Sequence, residues 1–193
     1  DAPAVIVAGS GETVTFRELE DNANRGAQLL RKLGLRRGDA FALWSGNNPR
    51  FLEIAATMGR TGLYMVPVAS KLRAGEAAYI MDDSGAKLLI VDATLKHAAE
   101  LAADLAGLCP RVAHAYAIRG DLPGLPRWED TIAALPATPI ADPSAGQQMM
   151  YSSGTTGRPK GVQRPLSDAP HDAPSGFGMF MRHRYKTRPG TTF

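Results

Sequence analysis

Cysteine, histidine and long apolar runs are all scarce in this chain. One cysteine, Cys109, stands among 193 residues, so no intramolecular disulfide can form and a fold stapled by sulfur bridges is excluded. The usage fits a reducing cytoplasm, which is the expected compartment. Cys109 follows the helical run Leu-Ala-Ala-Asp-Leu-Ala-Gly-Leu and reads as a small buried hydrophobe rather than a nucleophile. The four histidines, His97, His114, His171 and His183, are scattered, with no His-Glu-x-x-His or paired Cys/His spacing. That excludes the common zinc motifs, and His171-Asp172 with Asp168 reads as a surface turn. No apolar run approaches the roughly 20 residues that span a bilayer, and no signal-peptide pattern is present. Ser152 and Ser153 do not sit in a Gly-x-Ser-x-Gly elbow, so acyl-enzyme hydrolysis lacks its motif.

The scarcity extends to charge of either sign. Hydrophobic residues make up 44% and charged residues 21%, enough apolar material for a real core and typical of a globular domain. The formal net charge is +3, and its source is local. Beyond Val162, Arg164, Arg182, Arg184, Lys186 and Arg188 stand against Asp168 and Asp172, which by itself supplies the whole excess. The body is therefore neutral, which argues against a nucleic-acid-binding face. The basic run Arg182-His183-Arg184-Tyr185-Lys186 reads as a solvated surface or strand, with contact to anionic lipid at a membrane periphery, to CoA phosphates or to RNA left open.

Along the body, strand and helix signals alternate. Ala4 to Ala8 and Thr13 to Phe16 read as a short strand and its return around Gly9-Ser10-Gly11. Thr15 and Glu18 form a capping box before a helix from Phe16 to Leu33, closed by Gly34. Ala40 to Trp44 is a buried strand. Asn48-Pro49 then starts a helix that runs to about Arg60, with Asn as cap and Pro at the first helical position. Tyr64 to Ala69, Lys87 to Asp92 and Arg111 to Ile118 read as strands; Glu76 to Asp83, Thr94 to Leu105 and Trp128 to Leu135 read as helices. The pairs Asp82-Asp83 and Glu129-Asp130 read as solvated helix-end acids. The alternation predicts an α/β fold with a mostly parallel sheet flanked by helices, whose ligands bind beyond the strand ends.

A proline-rich bridge from Pro136 to Pro143 leads into the densest cluster of chemistry, Tyr151-Ser-Ser-Gly-Thr-Thr-Gly-Arg-Pro-Lys-Gly-Val162. Its candidate ligand-binding residues are Ser152, Ser153, Gly154, Thr155, Thr156, Gly157, Arg158, Pro159, Lys160 and Gly161. Glycines let successive backbone N–H groups converge on one point and let the backbone approach a ligand closely. The hydroxyls add donors, and Lys160 adds a compact positive charge. Such a surface suits a polyphosphate. Met149, Met150 and Tyr151 before it and Val162 after it read as strand ends, making the glycine-rich part a strand-to-strand turn. It is not a Walker A loop, because the position that should hold the second glycine is Pro159 when counted from Gly154 and Val162 when counted from Gly157.

Those twelve residues closely resemble the phosphate-binding signature of the adenylate-forming (AMP-binding) superfamily, which includes acyl-CoA synthetases, firefly luciferase and peptide-synthetase adenylation domains. Weaker pieces agree in order: Gly-Asp-Ala-Phe-Ala-Leu from Gly38, Gly59 to Val68, and Asp-Ser-Gly-Ala-Lys-Leu-Leu-Ile from Asp83 to Ile90 look like the front of a fatty acyl-CoA synthetase. The resemblance implies the front part of the large N-terminal domain of such an enzyme. Residues 1–163 would form an α/β subdomain ending in the loop, and residues 164–193 a tail or the start of a second subdomain. It also implies ATP, Mg²⁺ and CoA, with a carboxylate, most readily a fatty acid, as substrate. The loop would hold the β- and γ-phosphates, with Lys160 and Arg158 offsetting their charge. The later family segments Tyr-Gly-x-Thr-Glu and Thr-Gly-Asp have no counterpart in this sequence, so the chain alone is expected not to turn over. A peptide-synthetase-type adenylation segment, or a non-catalytic module that binds nucleotide or a partner, stays open as an alternative.

Overall fold

The computed structural model describes residues 1–152, 157–173, 179–180, 183–184 and 186. Its centre is a five-stranded sheet with the order β6-β5-β3-β4-β7, formed by β3 (Ala40–Ser45), β4 (Tyr64–Ala69), β5 (Ala86–Asp92), β6 (His114–Ile118) and the short β7 (Gln147–Gln148). Every neighbouring pair in it is parallel, as the alternation of strand and helix signals predicts. A separate antiparallel pair, β1 (Pro3–Ile6) with β2 (Thr13–Thr15), precedes it.

Strand alternation divides the core in two. Phe41 and Leu43 of β3 point to one face, with Leu88, Ile90, Met65 and Tyr116. They pack against Leu29 and Leu30 of α1 (Phe16–Lys32), Ile54 of α2 (Pro49–Thr61), and Trp128 and Ile132 of α6 (Trp128–Ala133). Ala42 and Trp44 point to the other face, covered by α3 (Ala74–Asp83), α4 (Ala98–Ala103) and the residues around Cys109. Burial of Cys109 lifts its thiol pKa to about 11, so it stays a protonated packing group.

The caps follow the sequence. Thr15 Oγ1 accepts from Glu18 N at 3.2 Å, and Glu18 Oε2 accepts from Thr15 N at 2.8 Å. Asn48 Oδ1 accepts from Phe51 N at 3.2 Å, and α2 ends on Gly62 in the left-handed region.

One expected helix is corrected. The span Thr94 to Leu105 forms a turn, then α4, then α5 (Leu105–Leu108) after a break at Asp104. Asp92 causes the late start: its Oδ1 accepts from Thr94 N at 3.0 Å and from Thr94 Oγ1 at 2.7 Å. This side-chain turn competes with helix nucleation. The strand expected from Arg111 begins at His114, because Val112 N bonds back to Cys109 O in a turn.

Strand β7 ties the chain after the proline bridge to the sheet edge. Gln147 N donates to Leu63 O at 3.0 Å and Met149 N to Met65 O at 2.9 Å. Gly146 makes this approach possible, since a Cβ there would lie 2.1 Å from Met58 O and 2.7 Å from Leu63 O. Both are backbone atoms and cannot swing aside. Gly146→Ala is therefore expected to detach β7 and to lower stability by about 2 kcal/mol, the scale of overpacking a tight site. Urea titration checks the value, and a cost below about 0.5 kcal/mol, the ordinary surface range, would show the edge to be slack.

Candidate functional site

The chain leaves the sheet edge as β8 (Met150–Ser152) and returns as β9 (Lys160–Val162), an antiparallel pair in the register Met150↔Val162, Tyr151↔Gly161, Ser152↔Lys160. The glycine-rich segment is thus the connection between two strands, as expected from its apolar flanks. Residues 153–156, and with them the candidates Ser153, Gly154, Thr155 and Thr156, lie outside the described residues. The rest are placed. Ser152 and Lys160 face each other across the hairpin and are exposed, Gly157 has φ +88°, and Arg158 and Pro159 lead into β9.

The hairpin rests on α3. Tyr151 Oη donates to Asp83 Oδ2 at 2.7 Å, Tyr79 Oη donates to Pro159 O at 3.2 Å, and the Arg158 guanidinium carbon lies 5.5 Å from the centre of the Tyr79 ring. Burial, followed by the bond to Asp83, pushes the Tyr151 hydroxyl pKa well above its ordinary value, so it remains a donor into strongly alkaline solution. Gly161 is covered rather than open: a Cβ there would come within 2.9 Å of the Met149 methyl and 3.0 Å of the Tyr151 ring. The ring of one limb lies over the glycine of the other. A cavity of about 400 Å³ lies between the hairpin and α3, lined by Leu72, Glu76, Tyr79, Gly157, Arg158 and Pro159 among others.

Neither Tyr79 nor Asp83 stood out in the sequence, where Asp83 reads as a solvated helix-end acid. Their only local signal is the four-residue spacing that puts both on one helix face. Beyond the hairpin, residues 164–168 pack back onto the body. Tyr64 Oη donates to Arg164 O at 2.7 Å, and Arg37 reaches Ser167 O at 3.0 Å and Asp168 Oδ1 at 2.8 Å. Of the basic run, Arg182 and Tyr185 lie outside the described residues, while His183, Arg184 and Lys186 are exposed.

The place where an open parallel sheet ordinarily takes its ligand is filled by the chain itself. Strands β3 and β5 are neighbours whose following helices, α2 and α4, cover opposite faces, which makes their carboxyl ends the expected crevice. There Asp92 is fully buried and accepts from Arg119 Nη1 at 2.9 Å, with Ser45 Oγ and Asn48 Nδ2 each at 3.4 Å. The polar groups there answer one another.

On the opposite side of α2, Glu53 is 3% exposed and contacts Arg50 and Asn22. Burial raises its carboxyl above the ordinary 4.5, opposed by Arg50. The folded chain then holds this proton more tightly than the unfolded one. Its stabilising effect is complete below about pH 4.5 and fades as pH rises through the folded value. Relative to Glu53→Gln, the wild type is expected to lose stability as pH rises above 4.5; urea midpoints measured from below that pH to neutrality check this, and a flat difference would contradict it.

Among the described residues, no three His, Cys, Asp or Glu side chains gather to hold a metal, and no helix is long and apolar enough to cross a membrane. The hairpin's donors are hydroxyls, amides and cations, which suit phosphate oxygens rather than a metal ion.

Comparison with known proteins gives three concordant findings. The model of the AMP-binding enzyme family matches residues 1–178. A feruloyl-CoA synthase of an Amycolatopsis species is 35% identical over 161 residues, covering 82% of this chain and 30% of its own length. A long-chain-fatty-acid CoA ligase of Mycobacterium tuberculosis is 30% identical over 195 residues, covering 96% of this chain and 36% of its own. Among solved structures, an anthranilate CoA ligase in complex with anthranoyl-AMP matches with TM-score 0.69 at 28% identity, over 79% of this chain and 30% of that one. The chain therefore spans about a third of the length of these curated relatives.

Proposed function

Because the chain belongs to the AMP-binding enzyme family, we propose that it carries the polyphosphate-holding part of an ATP-dependent acyl-CoA synthetase, with the β8–β9 hairpin as the phosphate cradle. The observation that carries this reading is the hairpin itself: a glycine- and hydroxyl-rich turn, flanked by Arg158 and Lys160, held at the edge of a rigid sheet. In the reaction, a substrate carboxylate oxygen attacks the α-phosphorus of ATP, the bond to the β-phosphate oxygen breaks, and pyrophosphate departs with that electron pair. The acyl-adenylate then passes its acyl group to the CoA thiol and releases AMP.

A carboxylate is a weak nucleophile toward a polyanion, so the leaving group must be gripped and its charge offset. Amides and hydroxyls of residues 152–157 would bind the β- and γ-phosphates, and Lys160 and Arg158 would supply positive charge. Mg²⁺ would arrive on the nucleotide and neutralise part of its charge. The relatives' names span a long-chain fatty acid and an aromatic acid, and the substrate is proposed only as a carboxylate, with a fatty acid the first to try.

Titrating ATP into isotopically labelled chain and following backbone amide shifts tests this. Shifts centred on residues 152–161 are expected, and shifts confined elsewhere would overturn the assignment. In a pyrophosphate-release assay with ATP, CoA and a panel of carboxylates, the 193-residue chain is expected to show no turnover, because it spans only about a third of the length of the ligases it matches.

A further inference from the structure

A glycine-rich hairpin is a poor device for gripping anything unless something else fixes its shape. Ordering each residue costs on the order of 1–2 kcal/mol, and a lone two-stranded hairpin is marginal in water. Here the two strands share three residue pairs, and the connection between them includes Gly157 in the left-handed region. The sheet holds only the entry, through Met149 and Met65. Among the described residues, the return limb has no sheet partner other than β8.

Helix α3 supplies what is missing. Its inner face is locked into the core through Ala77, Ala78, Ile80 and Met81, all buried. Its outer face carries Tyr79 and Asp83, one helical turn apart, and each takes a different limb. Asp83 holds the entry limb through Tyr151, while Tyr79 holds the return limb through Pro159 O and lies against the Arg158 guanidinium. Gly161 lets the limbs close, because the Tyr151 ring occupies the space a side chain there would need.

We propose that α3 is the gauge that sets the spacing of the hairpin's two limbs, with Tyr79 and Asp83 as positioning residues for them. Both act through other groups and touch no reacting atom. The consequence for the phosphate reading, on which this part rests, is that Arg158 is aimed by Tyr79 before any ligand arrives. The loop then binds at less entropic cost.

Hydrogen exchange of the ligand-free chain tests the gauge directly. Tyr79→Leu and Asp83→Ala should each speed exchange of the cross-strand amides of β8 and β9 by about fivefold, the equivalent of one neutral hydrogen bond. Amides of β3 and β5, and the melting midpoint, should not move. Asp83→Asn keeps an acceptor for Tyr151 and should restore slow exchange. Tyr79→Phe keeps the ring beneath Arg158 but loses the bond to Pro159, and should fall between wild type and Tyr79→Leu. Hairpin exchange within twofold of wild type in both Tyr79→Leu and Asp83→Ala would overturn the proposal, as would failure of Asp83→Asn to rescue.

Inorganic pyrophosphate separates the two readings. If the wild type binds it, the same variants should weaken binding by about fivefold, in step with exchange. If the wild type takes up none while the variants still loosen the hairpin, the gauge stands and the phosphate assignment falls.

Discussion

Arg119→Ala is expected to lower the stability of the chain by about 3 kcal/mol, the lower end of the range for breaking a buried ion pair by removing one partner. The lower end applies because the Arg119 side chain is 42% exposed while that of Asp92 is 1% exposed. In the folded chain the guanidinium keeps part of its hydration, while the carboxylate keeps almost none. Left without the guanidinium, Asp92 keeps its bonds from Thr94, at 3.0 and 2.7 Å, and only the long contacts from Ser45 and Asn48 on its other oxygen. Asp92→Ala should cost a similar amount, since it strips the turn that delays α4 and strands the hydroxyl of Thr94.

Backbone geometry adds a control. Arg119 has φ +61°, a conformation that costs a side-chain-bearing residue about 1 kcal/mol. Arg119→Gly should accordingly be about 1 kcal/mol less damaging than Arg119→Ala, although both lose the same ion pair. The double variant Asp92→Ala/Arg119→Ala should cost clearly less than the sum of the singles, because neither charge is then stranded. Equilibrium urea unfolding gives all four numbers. Single-variant costs below about 1 kcal/mol, the level of a surface pair, would mean that the crevice between β3 and β5 is wetter than its burial implies.

The features that sequence made legible are those whose partners lie within a few residues. Thr15 with Glu18, and Asn48 with Pro49, fix two helix starts by contacts three residues apart or less. The alternation of strand and helix gave the parallel sheet, and the apolar flanks of the glycine-rich run gave the hairpin. What could not be read is set by distance along the chain. Tyr151 meets Asp83 across 68 residues and Tyr79 meets Pro159 across 80, so Asp83 looked like an acid at a helix end and Tyr79 like filler. Asp92 and Arg119 stand 27 residues apart at the ends of strands whose adjacency depends on sheet order. The late start of α4 was missed for a subtler reason: the run from Thr94 to Leu105 has a helical composition, and only the structure shows that the Asp92 carboxylate takes the Thr94 donors for a turn. Within the candidate site the residue types stood out in the sequence, and the contacts that hold β8 and β9 in place did not.

Gly154→Val is expected to remove measurable ATP binding, a loss of at least about 100-fold, while Lys160→Ala weakens it about tenfold. The two differ because they remove different things. Valine is stiff and β-branched, and in the proposed cradle its two methyl groups would stand where glycine lets the backbone approach the phosphates. It would then displace several of the proposed amide donors at once, each charge-assisted toward an anion. Lys160 contributes one ammonium from an exposed position in β9, where water already screens much of its charge. Its loss matches one charged hydrogen bond, on the order of 1.5 kcal/mol or tenfold. Isothermal titration with ATP provides both affinities, and Lys160→Arg should recover part of the loss because a cation is kept. Affinities unchanged in both variants would remove the hairpin as the phosphate site. The reverse order, with Lys160→Ala the more damaging, would show that the charge does the gripping and that close approach of the backbone does not.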